Sequence, residues 1–337
     1  MHGAAVTFAE RLVEGSGPWD LFLITDMMDA ALFASLVRRR FPGTPIALYF
    51  HENQLDYPWS PRDNDKAQGR DAHYVFINYA SALAADRIYF NSEYHRRSFL
   101  DGLPAFLRRY PDFQNTETVD AIRRKSATLP LGLELGALDE ARPANPRRSA
   151  RDRPRPRMLW NHRWEHDKRP LDFFRLMERL LERGFDFDLV LLGQRSRELS
   201  GAVREARDHL APKILHDGPV DAFETYASWL WHADILPVTS RQDFFGGSVA
   251  EAVHCGCHPV LPRRLAYPEH LPGAPVFYDD EDGALSLLEN LLSSGAWRRP
   301  FDGAGRMRAY DWQERIADYD EKLAEAARAA PRHGSGD

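Results

Sequence analysis

Short apolar runs alternate with amphipathic stretches along the chain. Asp20–Thr25 (DLFLIT), Pro45–Phe50 (PIALYF) and Arg87–Ser92 (RIYFNS) come first. Arg157–His162 (RMLWNH), Asp188–Gly193 (DLVLLG), Ala233–Thr239 (ADILPVT) and His258–Pro262 (HPVLP) follow in the second half. Brief, nearly continuous apolar runs bounded by polar residues predict buried strands in parallel sheets. Between them, Asp29–Arg39 and Leu171–Arg183 place apolar residues at helical spacing. This alternation predicts an α/β protein whose parallel sheets are covered by helices on both faces.

One segment breaks the pattern. Ala141–Arg157 holds seven arginines, four prolines and one aspartate. It cannot build a core element and predicts a linker. A length of 337 residues suits two domains of ordinary size. The expected layout is an N-terminal domain over 1–138, a linker over 139–157 and a C-terminal domain over 158–304. A C-terminal helix over 305–330 can cross back to the first domain, and a disordered tail closes the chain over 331–337. No internal repeat is visible.

Composition narrows the classes. With 43% hydrophobic and 28% charged residues the chain reads as a soluble globular protein. No apolar run nears the roughly 18 residues of a membrane span, and the start lacks the apolar core of a secretory signal. The expected compartment is the cytoplasm. Cys255 and Cys257 form a lone C-x-C, weak for zinc and better read as buried small residues. A net charge of −6 gives no global attraction to nucleic acid. Basic clusters at Arg38–Arg40, Arg96–Arg97, Arg108–Arg109 and Arg123–Lys125 read first as solvated helix faces, and leave room for an RNA-sized anionic partner.

Doubly wound domains place ligands at the carboxyl ends of their strands, in the cleft between the halves. After PIALYF come His51, Glu52, Asn53 and Gln54, where Gly or Pro is more usual in a turn. His51 titrates near neutrality; the plainer reading is a loop that caps its own backbone. After RIYF, Asn91 or Ser92 can cap the next helix. After RMLWNH, Arg163 and Lys168 offer a planar fork and a point charge to a diphosphate, although Glu165 and Asp167 balance them. After ADILPVT come Asp243, Gly246, Gly247, Ser248 and Glu251. The glycines allow backbone amides to approach a ligand, and a helix starting near Ser248 would turn its amides and partial positive charge to a phosphate. Glu251, read in the first helical turn, suits ribose hydroxyls, and Asp243 suits those of a sugar. The alternative is a capped helix with a glycine lead-in.

An acid, seven residues and then Glu251, within QDFFGGSVAEAVHCGCHP, resembles the donor-site signature of the retaining glycosyltransferases of family 4. YFHENQLDYP, FNSEYHRRSFL and WNHRWEHDKRPLDFF extend the resemblance to its tRNA-queuosine alpha-mannosyltransferase branch. The resemblance implies a GT-B fold, two Rossmann-like domains facing a cleft. It implies transfer of a hexose, mannose by default, from GDP-mannose to queuosine in tRNA. By position it sets Arg163, Lys168 and the Gly246, Gly247 and Ser248 amides at the donor diphosphate. Asp243, where most relatives have Glu, falls at hydroxyls of the transferred sugar, Glu251 at the ribose, and Gly193 and Gly218 beside the base. His51 falls near the anomeric centre, making His51 and Asp243 the catalytic pair. Glu52, Asn53 and Gln54 face the acceptor.

No carboxylate is placed as a covalent nucleophile, so front-face displacement is expected, with the departing diphosphate helping to deprotonate the acceptor. The D-x-D strings at Asp63, Asp186 and Asp318 do not stand at a donor-site strand end. Neither a metal nor a cofactor beyond the donor is expected, nor a membrane, and no protein partner can be inferred from the sequence. Family members normally begin with a further strand and a glycine-bearing loop, so the first domain is expected to lack its first βα unit, exposing a sheet edge. Two alternatives keep the fold: a lipid or glycan acceptor, and a truncated nucleotide-sugar- or RNA-binding protein without turnover. A nicotinamide enzyme is set aside for want of a G-x-G-x-x-G.

Overall fold

A computed structural model of the chain describes residues 3–15, 17–58, 70–144, 153–194 and 200–328. It divides into two compact units, Met1–Pro130 with Ile316–Asp337, and Leu131–Arg315. Among the described residues no helix is long and apolar enough to cross a membrane.

Unit 1 holds a parallel sheet of β1 (Phe22–Thr25), β2 (Ile46–Phe50), β3 (Arg87–Phe90) and β4 (Ser126–Thr128), side by side in that order. Every residue of β2 is buried, as an apolar run covered on both faces requires. β1, at the edge, alternates buried and exposed positions. The helices are α1 (Ala4–Glu14), α2 (Ala30–Val37), α3 (Arg70–Ala84) and α4 (Glu93–Leu107), besides the short Thr118–Arg124. Asp29 caps α2 by accepting the Leu32 amide at 2.9 Å. Ser92, not Asn91, caps α4, accepting the His95 amide at 3.0 Å. Phe50 stacks on Phe90 at 4.8 Å, with Phe99 4.9 Å from Phe50, to centre the core.

Unit 2 holds a parallel sheet of β5 (Arg157–Trp160), β6 (Asp188–Leu191), β7 (Ile214–Asp217), β8 (Ile235–Pro237), β9 (His258–Pro262) and β10 (Phe277–Tyr278). Their order in space is β10-β9-β8-β5-β6-β7. The chain builds outward from β5 to β7 on one side, then returns to the centre and builds from β8 to β10 on the other. The reversal lies between β5 and β8, and the loops leaving those strands flank the crevice of a doubly wound sheet. Two helices follow them: α5 (Pro170–Glu182) after β5 and α6 (Gly247–His254) after β8.

Three strands carry no sequence signal. β4 is Ser-Ala-Thr, β10 is two residues long, and no residue of β7 is fully buried. Each exists because a neighbouring strand supplies its ladder.

The expected linker is corrected. Unit 2 already begins at Leu131, and its short helix Leu135–Glu140 accepts the Trp231 indole N–H at the Leu138 carbonyl, 2.7 Å away. Arg142 lies over the Trp231 ring at 4.5 Å, Arg155 meets Asp188 at 2.7 Å, and Arg153 meets Asp234 at 2.8 Å. Each of these arginines finds a ring or a carboxylate of unit 2, so the described parts of the segment are fastened to that unit. Residues 145–152, the tail 331–337 and Asp63 lie outside the described residues. The last helix, α7 (Trp312–Arg328), passes at Ile316 from unit 2 to unit 1. There the Tyr319 hydroxyl donates to the Pro130 carbonyl at 3.2 Å, and the Tyr89 hydroxyl donates to the Lys322 carbonyl at 2.8 Å.

Asp234, 1% exposed, binds the Arg153 guanidinium and accepts the Arg157 amide at 2.8 Å. Breaking such a pair from one side strands a buried charge. Asp234→Ala should lower stability by about 3 kcal/mol in urea denaturation followed by tryptophan fluorescence. A loss below about 0.5 kcal/mol, the range of surface substitutions, would remove the pair from the structural account.

Candidate functional site

The loops after β5 and β8 are sewn together by their backbones. The Thr239 hydroxyl lies 3.0 Å from the Lys168 carbonyl and 3.1 Å from that of Arg169. The Arg241 amide donates to the Asp167 carbonyl at 2.7 Å, and Lys168 Nζ donates to the Gln242 carbonyl at 2.7 Å. Lys168 sits in the short turn His166–Lys168, with its side chain only 12% exposed. Its ammonium is 3.2 Å from Asp167 Oδ2 and 3.3 Å from Asp243 Oδ2. Three oxygens therefore surround its three N–H groups.

Asp243 also accepts the Tyr267 hydroxyl at 3.1 Å. Burial pushes the Asp243 carboxyl upward, but Lys168, His162 and the Tyr267 bond outweigh it and hold the group below the usual carboxylate range. Burial first, then the Asp243 charge, raises the Tyr267 phenol well above its ordinary value. The site therefore keeps an ionised carboxylate beside an ammonium and a neutral phenol.

Gly246 opens α6 in the left-handed region, at φ 87°. A Cβ there would come within 2.9 Å of the Tyr267 ring, so glycine answers both a backbone and a packing demand. The amides of Val249 and Ala250 donate to the Gly246 carbonyl; those of Gly247 and Ser248 belong to the first turn, which has no acceptor inside a helix. Ser248 is gripped from β5: Asn161 Nδ2 donates to its carbonyl at 2.9 Å, and its hydroxyl lies 3.0 Å from His162 Nδ1. His162 is 3% exposed. Burial, then Lys168, lowers its pKa to about 4, so the imidazole is neutral near pH 7.

The other expected positions in unit 2 are Arg163, Glu251, Gly193 and Gly218. Arg163 is exposed, with Glu165 3.0 Å away. Glu251 is the fifth residue of α6, one residue further along the helix than the sequence suggested and so just past its first turn. It accepts the Tyr226 hydroxyl at 2.6 Å, and burial raises its pKa. Gly193 leaves room for the chain itself, since a Cβ there would lie 1.7 Å from the His162 carbonyl oxygen. Gly218, at φ 134° with open space around it, donates its amide to the Leu191 carbonyl at 2.8 Å.

In unit 1 the loop after β2 is organised by Asp26. This buried carboxylate accepts the His51 amide at 2.8 Å and stands 3.5 Å from His51 Nδ1, while the ring is half exposed. Asn53 is fully buried and accepts the Leu55 and Asp56 amides, both at 3.1 Å, so it shapes its own loop. Gln54 donates its side-chain amide to Glu52 at 2.9 Å, and Asn91 donates to the His51 carbonyl at 2.9 Å.

Sequence reasoning passed over Asp26, Asn161, His162, Tyr226 and Tyr267. Asn161 and His162 directly follow a strand, which was a usable signal. Tyr267 carried none, because no spacing rule joins it to Asp243 across 24 residues.

The family described as tRNA-queuosine alpha-mannosyltransferase N-terminal matches residues 1–133. Over those residues the chain is similar to the N-terminal domain of the tRNA-queuosine alpha-mannosyltransferases. A tRNA-queuosine alpha-mannosyltransferase of Drosophila melanogaster is 34% identical over 227 residues, 67% of this chain and 59% of the relative. The chain thus matches about three-fifths of that relative's length. Among solved structures, sucrose-phosphate synthase of Thermosynechococcus elongatus superposes with a TM-score of 0.70 at 17% identity, over 97% of this chain and 79% of the other. A UDP-forming trehalose-phosphate synthase of Burkholderia xenovorans gives 0.65 at 17% identity, over 95% and 76%. At such identity the likeness carries the fold, which is GT-B, as the family resemblance implied.

The His162 shift has a definite sign. Above pH 6.5 the folded and unfolded chains both hold this imidazole neutral. As the pH falls from 6.5 to about 4 the unfolded chain takes the proton first, so folding loses roughly 3 kcal/mol across that window. His162→Gln should flatten that part of the stability–pH curve. An acid limb of the same slope in wild type and variant would contradict a buried neutral imidazole.

Proposed function

We propose that this chain is a retaining mannosyltransferase that moves mannose from GDP-mannose to queuosine in tRNA. The observation that carries the reading is the Lys168–Asp243 pair beneath the N-terminus of α6, at the strand-order reversal of unit 2. The family match over residues 1–133 and the activity for which the Drosophila relative is named support the acceptor.

In this reading the donor diphosphate takes over part of the Lys168 coordination, joined by Arg163 and by the Gly246, Gly247 and Ser248 amides. Exchange of a carboxylate contact on Lys168 for a phosphate oxygen frees Asp243 to accept hydrogen bonds from mannose hydroxyls. Glu251, already fixed by Tyr226, accepts from the ribose, and Gly193 and Gly218 border the base. His51, held by Asp26 on its Nδ1 side, presents Nε2 to a sugar hydroxyl. Glu52 and Gln54 meet the acceptor, with Asn53 fixing their loop. The bond from the anomeric carbon to the phosphate oxygen breaks while the bond to the acceptor oxygen forms on the same face. The acceptor proton passes to the departing phosphate. Cationic side chains and amides stabilise the leaving charge, so the reading assigns no step to a metal.

Incubation of the purified chain with GDP-mannose and queuosine-containing tRNA should yield hexosylated queuosine by nucleoside mass spectrometry, with or without EDTA. GDP binding without product would overturn the transferase reading. Lys168→Ala should weaken GDP-mannose binding about tenfold or more, as for a lost bond to a charged group. Asp243→Ala should reduce transfer about a hundredfold while affecting GDP affinity far less; equal loss of both would make Asp243 structural.

A further inference from the structure

Phe113 in unit 1 is 88% exposed, and its backbone sits at φ 40°, a conformation phenylalanine rarely adopts. Asn115 follows at φ 49°. Such conformations persist where their surroundings over-determine them. That is the case here. Gln114 Nε2 lies 3.1 Å from the Tyr110 carbonyl and 3.4 Å from that of Arg108. Asn115 Nδ2 donates to the Phe113 carbonyl at 2.6 Å. The Asn115 carbonyl accepts the Thr118 hydroxyl at 2.6 Å, and Tyr79 OH lies 2.7 Å from that hydroxyl. Tyr110 packs on Phe106 and Phe76, with ring centroids 5.6 and 5.7 Å away. A rigid loop thus holds an apolar ring in water.

Arginines bracket that loop. Arg108 and Arg109 precede it; Arg123 and Arg124 end the helix that Asn115 leads into, and all four are exposed. Arg109 lies over the Phe106 ring at 5.7 Å, and Arg123 has Asp101 at 3.1 Å. Asp112, Glu117 and Asp120 are the acids of the same stretch. A protein-binding patch is depleted of charge at its core, whereas along the chain this ring stands between two exposed arginine pairs. A flat π-face flanked by planar, bidentate donors is the chemistry that holds an unpaired base and its phosphates. The loop also lies beyond the far end of α4, whose 15 residues lead away from the carboxyl-end loops by about 22 Å. A folded RNA can bridge that distance while its modified base lies elsewhere on unit 1; a free nucleoside cannot.

We propose that the Phe113 loop, with Arg108, Arg109, Arg123 and Arg124, is a tRNA contact remote from the modified nucleoside, Phe113 stacking on an unpaired base and the arginines binding phosphates. This rests on the tRNA-acceptor reading above. The test is binding of labelled queuosine-containing tRNA to the full chain across a salt series, alongside hexose transfer. Phe113→Ala and Phe113→Gly, the second suited to the positive φ, should weaken binding about five-fold or more without changing the salt slope. Phe113→Trp should retain binding. Replacing Arg123 and Arg124 together by Ala should lower the slope of log Kd against log salt by about one to two. GDP-mannose affinity should stay unchanged throughout. Binding by both ring-less variants within two-fold of wild type overturns the proposal, as does an unchanged slope in the double variant. Phe113-dependent binding without transfer would leave the surface standing and remove the acceptor reading. Transfer with a tRNA KM indifferent to Phe113 would do the reverse.

Discussion

The ion pair of Lys168 with Asp243 is the constraint on which unit 2 is organised. Neither charge tolerates burial alone, and each is held by the other and by oxygen or hydroxyl partners. The pair joins loops that leave the two central strands on either side of the strand-order reversal. Once those loops are tied, the direction of α6 and the position of Ser248 follow, because Asn161 and His162 reach Ser248 from the same β5 loop.

Helix α6 is anchored at its other end as well. His254, in its last turn, lies 2.9 Å from Asp139, which Arg308 also meets at 3.0 Å. Beyond it the Cys255 and Cys257 thiols are buried on either side of Gly256, which turns the chain at φ 83° into β9. With both termini and the following turn fixed, the first-turn amides are presented without a reorganisation cost, the condition under which fixed dipoles stabilise charge most effectively.

Unit 1 uses a different device. Its carboxyl-end loop hangs on one buried carboxylate, Asp26, with Asn91 and Asn53 closing the remaining backbone groups. Among the described residues these partners are hydrogen-bonding groups, whereas the loops of unit 2 hold a charged pair. At the other end of α4 the hydrogen-bonded Phe113 loop spends conformational energy to keep a ring exposed. The two ends of α4 thus differ, one beside a loop held by buried polar side chains and the other leading to an exposed aromatic ring.

Most of the fold was legible in the sequence, because strands and helices follow from local periodicity. The seven apolar runs each contain a strand, and Asp29 and Ser92 each cap a helix where a polar residue meets an apolar repeat. Lys168 and Asp243 could be proposed from the sequence as well, since each closely follows the end of an apolar run. The pairings could not. Tyr267 meets Asp243 across 24 residues, His162 meets Ser248 across 86, and Arg153 meets Asp234 across 81. Such pairs exist only once the strand order brings them together, and their charge states depend on a burial that no residue determines for itself. The sequence by itself determined which groups stand at the strand ends. The tertiary structure decided which of them are charged, which are neutral, and where Arg142, Arg153 and Arg155 of a stretch that reads as a tether find their partners in unit 2.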